Sequence, residues 1–152
     1  MNQIHTVEAA EQHTAVVHAR VPMDELTRFF DRAFAATAAA LHDQGLAPAG
    51  PPFGLYRGMP GATVDVEAGF PVATRIEPSG DVEAGTLPAG RTVEAMHVGP
   101  YDAMVDTYAQ VEHWMDDEGL RPGSLVWESY LTDPEQDPDP ASWRTLIHWP
   151  VS

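Results

Sequence analysis

The feature that most limits what this chain can fold into is an internal duplication. Gly45-Leu46-Ala47-Pro48 returns as Gly119-Leu120-Arg121-Pro122, an offset of 74 residues (45 to 119). The same offset carries on into Phe53 and Trp127, Leu55 and Ser129, and Tyr56 and Tyr130. Upstream, Arg20-Val21-Pro22 precedes one helical stretch as Val98-Gly99-Pro100 precedes the other. Downstream, Phe70-Pro71-Val72 is answered by Trp149-Pro150-Val151. Two copies, about residues 1–77 and 82–152, imply a pseudo-dyad, because a solenoid needs three or more repeats. A chain of 152 residues is expected to form one domain, residues 1–152, with a core that needs no staples.

Each copy reads as strand, helix, strand, strand. Leu26, Phe29, Phe30, Ala33, Phe34 and Leu41 recur at helical spacing, with Gly45 as the stop. Met104, Thr107, Tyr108, Val111, Trp114 and Met115 form the second stripe, with Gly119 as its stop. Strand-like runs cover Thr14 to Arg20, Phe53 to Arg57, Thr63 to Ala68, Arg91 to Val98, Leu125 to Leu131 and Arg144 to Trp149. Pro78 to Gly90 is the linker, with a short strand expected near Val82. Asp133 to Pro140 is an acidic, proline-broken turn. The expected class is α+β: two βαββ-type units with pseudo-two-fold symmetry, an antiparallel sheet with one face covered by two long helices, and a central pocket between the halves.

Charge and composition exclude several functions. With 23 acids against 8 basic residues, all of them Arg, the net charge is −15. That opposes nucleic-acid binding, which needs a basic face to neutralise phosphates. The chain has no Cys, so disulfides, thiol nucleophiles and thiolate metal sites are out. The opening Met1-Asn2-Gln3-Ile4-His5 lacks a basic segment followed by an apolar run, so no signal peptide is expected. No segment reads as membrane-spanning, and the expected location is the cytoplasm. The seven His form no ligand pair, so no metal is expected. No Gly-rich phosphate loop is present and no cofactor is expected. Ser79, Ser124, Ser129, Ser142 and Ser152 lack a nucleophile-elbow context, which argues against a serine hydrolase. Asp65 and Glu67 read as a solvated strand face.

The two copies differ where chemistry could sit. In Val126-Trp127-Glu128-Ser129-Tyr130-Leu131, alternation puts Glu128 and Tyr130 on one face and Trp127 with Leu131 on the other. The equivalent face of the first copy carries Gly54 and Tyr56. One half thus offers a carboxylate where the other is empty, as expected of a group aimed into a cavity. Burial there would raise its pKa, and a lipophilic cation would favour its ionised form. His148, on a strand with Leu146, is a further candidate for the same cavity; Trp114, Tyr108 and Met104 are helix candidates, with a core role as their competing reading. A solvated Glu128 and a purely structural His148 are the other competing readings.

A family resemblance follows from longer motifs. Leu87-Pro88-Ala89-Gly90-Arg91, His97-Val98-Gly99-Pro100-Tyr101, Trp127-Glu128-Ser129-Tyr130-Leu131-Thr132-Asp133-Pro134 and Trp149-Pro150-Val151 together resemble the GyrI-like small-molecule-binding family. Val64-Asp65-Val66-Glu67 through Pro71-Val72 matches its first half. The family, also called the AraC-type effector-binding domain, is similar to the drug-binding domain of multidrug-responsive MerR-type regulators. The resemblance implies an aromatic pocket between two repeats, lined by Tyr56, Tyr130 and His148, with Glu128 as the acid that meets cationic drugs. The chain departs from the pattern at Thr145-Leu146, where many relatives carry an acid after the Thr, and at His148, where drug-binding relatives often have an aromatic. The expected function is a stand-alone binder of lipophilic, cationic drug-like molecules with no DNA-reading domain, placing it in xenobiotic response. Two alternatives stay open: a hydrolase of cyclopropane-bearing genotoxic natural products or other reactive xenobiotics using Glu128, and a protein-contact role such as modulation of DNA gyrase.

Overall fold

A computed structural model describes residues 4–58, 61–133 and 136–152. Met1 to Gln3 of the N-terminal motif, and Pro134 and Glu135 of the acidic turn, lie outside the described residues. The elements are β1 (Ile4–Ala9), β2 (Gln12–Pro22), α1 (Leu26–Asp43), β3 (Phe53–Arg57), β4 (Thr63–Pro71), β5 (Val82–Leu87), β6 (Gly90–Val98), α2 (Met104–Asp117), β7 (Leu125–Tyr130) and β8 (Arg144–Pro150). The class is α+β, with one antiparallel sheet and two long helices. β1 escapes the sequence pattern because Ile4-His5-Thr6-Val7-Glu8-Ala9 has no clean alternation, and it forms by pairing along β6 at the sheet edge.

The eight strands among the described residues form one sheet in the order β1-β6-β8-β7-β3-β4-β2-β5. This order mirrors itself about the β7–β3 junction. There β6, β8 and β7 answer β2, β4 and β3, and the outer strands β1 and β5 also correspond. At that junction Gly54 pairs with Glu128, Phe53 with Ser129 and Leu55 with Trp127. The pseudo-dyad therefore passes through the Gly54–Glu128 pair.

The repeated Gly-Leu-x-Pro motif has a clear physical task. Gly45 and Gly119 take φ of 70° and 71°, the left-handed conformation that a Cβ disfavours. The following Leu46 N–H then bonds the Leu41 carbonyl at 2.8 Å, and Leu120 N–H bonds that of Met115 at 2.9 Å. Both helices thus end in the same six-to-one closure.

α1 buries Phe29, Ala33 and Leu41 against Ala15, Val17, Val66 and Ala68 of the sheet. α2 buries Val111 and Met115 against Val93, Ala95 and Ile147. Fully burying a large apolar side chain stabilises by roughly 1.5–3 kcal/mol, so these two clusters fix both helices on one face. The opposite face is not simply solvated: Val16, Phe53, Leu55, Leu87 and Trp127 make a third buried cluster there. Glu67 also differs from its solvated expectation. It is buried and held by Arg57 Nη2 at 2.6 Å, while Asp65 pairs with His18 at 2.5 Å. No helix among the described residues is long and apolar enough to cross a membrane.

Candidate functional site

Between the helices and the sheet lies a cavity of about 900 Å³. Its floor is built on the dyad. Glu128 of β7 projects from the helix-covered face with only 8% of its surface exposed. Tyr130, two residues on along the strand, shares that face and donates to Glu128 Oε1 at 3.0 Å. Tyr108, from the inward stripe of α2, donates to Oε2 at 2.5 Å. Tyr56, from the central strand of the first copy, is hydrogen-bonded to Tyr130. Phe30 and Phe34 from α1 form the first copy's wall, while Met104 and Tyr101 close the other side. Asp31 and Asp133 also stand among the lining residues.

Gly54 is a packing requirement as well as an asymmetry. A Cβ at this position would come within 2.8 Å of Phe30 Cε1 and 3.0 Å of Tyr130 Oη. Phe30 therefore lies where a side chain would otherwise project from the first copy. Its ring packs edge-on to Tyr56 and Tyr130, with centroids at 6.4 and 5.9 Å. At the mouth, Tyr101 packs on Trp143 at 5.0 Å and on Tyr130 at 6.0 Å. Trp143 is fixed in turn by its indole N–H, which bonds the Asp137 carbonyl at 2.7 Å. The acidic turn thus anchors one lip of the cavity.

The electrostatics follow from burial. Desolvation pushes the Glu128 carboxyl above its ordinary value, while the Tyr108 and Tyr130 hydrogen bonds and the charge of His97 pull it back. Tyr56, Tyr108 and Tyr130 are all driven upward, first by burial and then by the Glu128 charge. They remain phenols and serve as donors. His97 is buried beneath α2, its Nε2 2.9 Å from the Pro100 carbonyl and its Nδ1 2.6 Å from Thr107 Oγ1. No group of three potential metal ligands occurs among the described residues.

The candidate residues divide sharply. Glu128, Tyr130 and Tyr56 meet in the cavity, and Tyr108 reaches it by bonding Glu128. His148 does not join them. It pairs across the sheet with Trp127, so it lies on the other face, stacked on that indole at 5.0 Å and 11°. Trp114 packs into the α2 core cluster instead. Leu131, assigned by alternation to the far face, lies past the end of β7 and lines the cavity. Met104 lines the cavity as well, and among the lining residues that sequence reasoning missed are Phe30, Phe34 and Tyr101. Phe30 and Phe34 were legible only as core. Three Phe within six residues, 29 to 34, exceed what one helix stripe needs, and that excess was the available signal.

A helix-roofed aromatic cavity at the dyad of a duplicated βαββ sheet is the architecture of a small-molecule-binding domain. The chain belongs to the GyrI-like small molecule binding domain family, whose model matches residues 2–152. Among curated proteins no sequence matches it. Solved structures share the fold. The C-terminal domain of EcmrR matches with TM-score 0.87 and 23% identity, over 100% of this chain and 98% of that one. In the EcmrR–DNA complex the match covers 99% of this chain and 57% of that longer one, with TM-score 0.85 and 23% identity. A hydrolase from Listeria innocua matches at TM-score 0.71 and 20% identity, over 99% of this chain and 92% of that one. SAV2435 bound to tetraphenylphosphonium matches at 0.70 and 13%, over 99% and 94%.

Proposed function

We propose that this protein binds lipophilic organic cations in the dyad cavity, with Glu128 as their counter-charge. One observation carries the reading: a buried carboxylate, bonded by two tyrosine hydroxyls, forms the floor of a cavity walled by aromatic rings. An isolated buried carboxylate is expensive to ionise, and a bound cation relieves that penalty. Each aromatic face adds cation–π attraction of roughly 0.5–2 kcal/mol. The tetraphenylphosphonium held by SAV2435, a protein of the same fold, has this chemistry. The whole chain, residues 1–152, acts as one effector-binding domain in this reading, working inside the cell in response to xenobiotics.

The test is a thermal-shift and calorimetric comparison of wild type and Glu128→Gln, using tetraphenylphosphonium and a neutral polyaromatic dye. A ligand at a hundredfold excess over its Kd stabilises by about 2.7 kcal/mol. The cation shift should shrink in the variant, with affinity falling about tenfold or more, while the neutral dye binds both proteins alike. Equal losses for both ligands would remove the charge argument.

A second reading rests on the same carboxyl. Raised above its ordinary value and bonded by Tyr108 and Tyr130, Glu128 has the features of a general acid or base acting on a reactive cyclopropane-bearing or similar xenobiotic. Consumption of such a compound by wild type, abolished in Glu128→Gln, supports hydrolysis. Binding without consumption supports the first reading.

A further inference from the structure

On the sheet face away from the cavity, three neighbouring strands bring a serine, a histidine and a carboxylate into line. Ser129 Oγ of β7 lies 2.9 Å from His148 Nε2 of β8. His148 Nδ1 lies 3.1 Å from Glu94 Oε2 of β6. Glu94 Oε1 is itself 3.3 Å from His5 Nε2 of β1, directly opposite in the register. The proton positions follow from chemistry. A carboxylate oxygen only accepts, so His148 carries its proton on Nδ1. Burial lowers the His148 pKa against the opposing pull of Glu94, which keeps the ring neutral and leaves a lone pair on Nε2. The Ser129 hydroxyl therefore donates to Nε2. Trp127, stacked on the imidazole at 11°, fixes the ring plane, and the second oxygen of Glu94 is steadied by His5.

We propose that Ser129, His148 and Glu94 form a second reactive site, an activated serine that takes acyl groups from aryl esters and other acylating agents with good leaving groups. This is the order of roles found wherever a nucleophile, a base and an orienting acid meet, whatever the fold. Ser129 Oγ bonds to the acyl carbonyl carbon as its proton passes to His148 Nε2. The ester C–O bond breaks, and the aryloxide leaves with that proton. Water, deprotonated by His148, then attacks the acyl-serine to release the carboxylic acid and restore Ser129. The backbone around Ser129 is engaged in the sheet, paired to Phe53 on one side and Leu146 on the other. Those amides are not arranged to hold an oxyanion, which confines the site to activated esters and excludes amides. Ser129 and His148 keep partial exposure on this face, His148 with 13% of its side chain accessible, so a reagent approaches them from the side away from the cavity.

The experiment treats the full chain with a fluorophosphonate probe and with p-nitrophenyl acetate, and maps the adduct by peptide mass spectrometry. Label on the Ser129 peptide is expected, lost in Ser129→Ala and reduced about a hundredfold in His148→Gln, the usual size of a base's contribution. Because the chain has no Cys, Ser129→Cys supplies a single thiol. Its alkylation by iodoacetamide at neutral pH should be slowed at least as strongly when His148→Gln is added, which tests the base without relying on the serine variant's fold. Tetraphenylphosphonium binding should be unchanged in Ser129→Ala. Label elsewhere, no label, or labelling and alkylation indifferent to His148 overturns the proposal.

Discussion

The two copies of the βαββ unit share a backbone plan and differ in how they fill it. Eight residues beyond the repeated prolines, Pro22 and Pro100, stand Phe30 and Tyr108. In the first copy the Phe30 ring packs onto Gly54; in the second, the Tyr108 hydroxyl bonds Glu128. Three residues before those prolines stand Ala19 and His97, and seven after them Phe29 and Thr107. The first copy packs these two positions with methyl and phenyl groups, whereas His97 and Thr107 bond each other. Duplication has supplied a symmetric frame, and the second half has been made polar at every one of these matched places. One acid on the axis is the outcome. Two facing acids would repel, and one would have to stay protonated.

The strongest way to break this comparison is to restore the symmetry. Gly54→Glu places a second carboxylate against Phe30 and beside Glu128, and should destabilise by about 3–5 kcal/mol, the range for an uncompensated buried charge. Chemical denaturation measures it. Gly54→Ala, which adds only the crowding seen at 2.8 Å, should lose about 1–3 kcal/mol. Equal losses would assign the whole effect to space rather than charge.

Next in size is the hydroxyl that distinguishes Tyr108 from Phe30. Tyr108→Phe removes a hydrogen bond to a charged group, worth about 1.5–3 kcal/mol. Cation affinity at neutral pH should fall about tenfold, which corresponds to 1.4 kcal/mol, because the bond that favours ionised Glu128 is gone. Titration calorimetry decides it, and an unchanged affinity would place the charge response outside this bond.

A third effect appears only on changing pH. Glu128 has a folded pKa raised above 4.5. Burial therefore favours its protonated form in the apo fold. Its contribution to stability is fully present below 4.5 and is lost as pH rises through the folded value. The melting temperature of apo wild type should fall relative to Glu128→Gln across that window. Cation affinity should climb over the same window, since the ligand selects the ionised form. A wild-type profile parallel to the variant's would contradict a buried, titrating Glu128.

The smallest change is expected at the rim. Asp31 is exposed on α1, where salt screens its charge within about 8 Å. Asp31→Asn should weaken cation binding by less than about threefold, by competition binding at two salt concentrations. A loss as large as that of Glu128→Gln would move the counter-charge from floor to mouth.

Much of this was legible along the chain, for reasons of periodicity. Gly-Leu-x-Pro, the proline-led helices and the alternating strands are local signals, set by backbone conformation and by which face of an element is apolar. They determined the duplication, the α+β class, and the placing of Glu128 opposite Gly54. Alternation also put Tyr56 and Tyr130 beside them. What only the tertiary structure decided depends on registers between distant strands. The pairing of β8 with β7 and β6 sent His148 to the other face, beside Ser129 and Glu94, because a one-residue choice of register inverts every side chain. Helix rotation about the sheet likewise left Trp114 in the core, brought Tyr108 to Glu128, and turned Phe30 and Phe34 from core residues into cavity wall. A single sequence records which residues are apolar and how often they recur. It does not record which partner lies across a strand 19 residues away (129 to 148), and there the sheet had to decide.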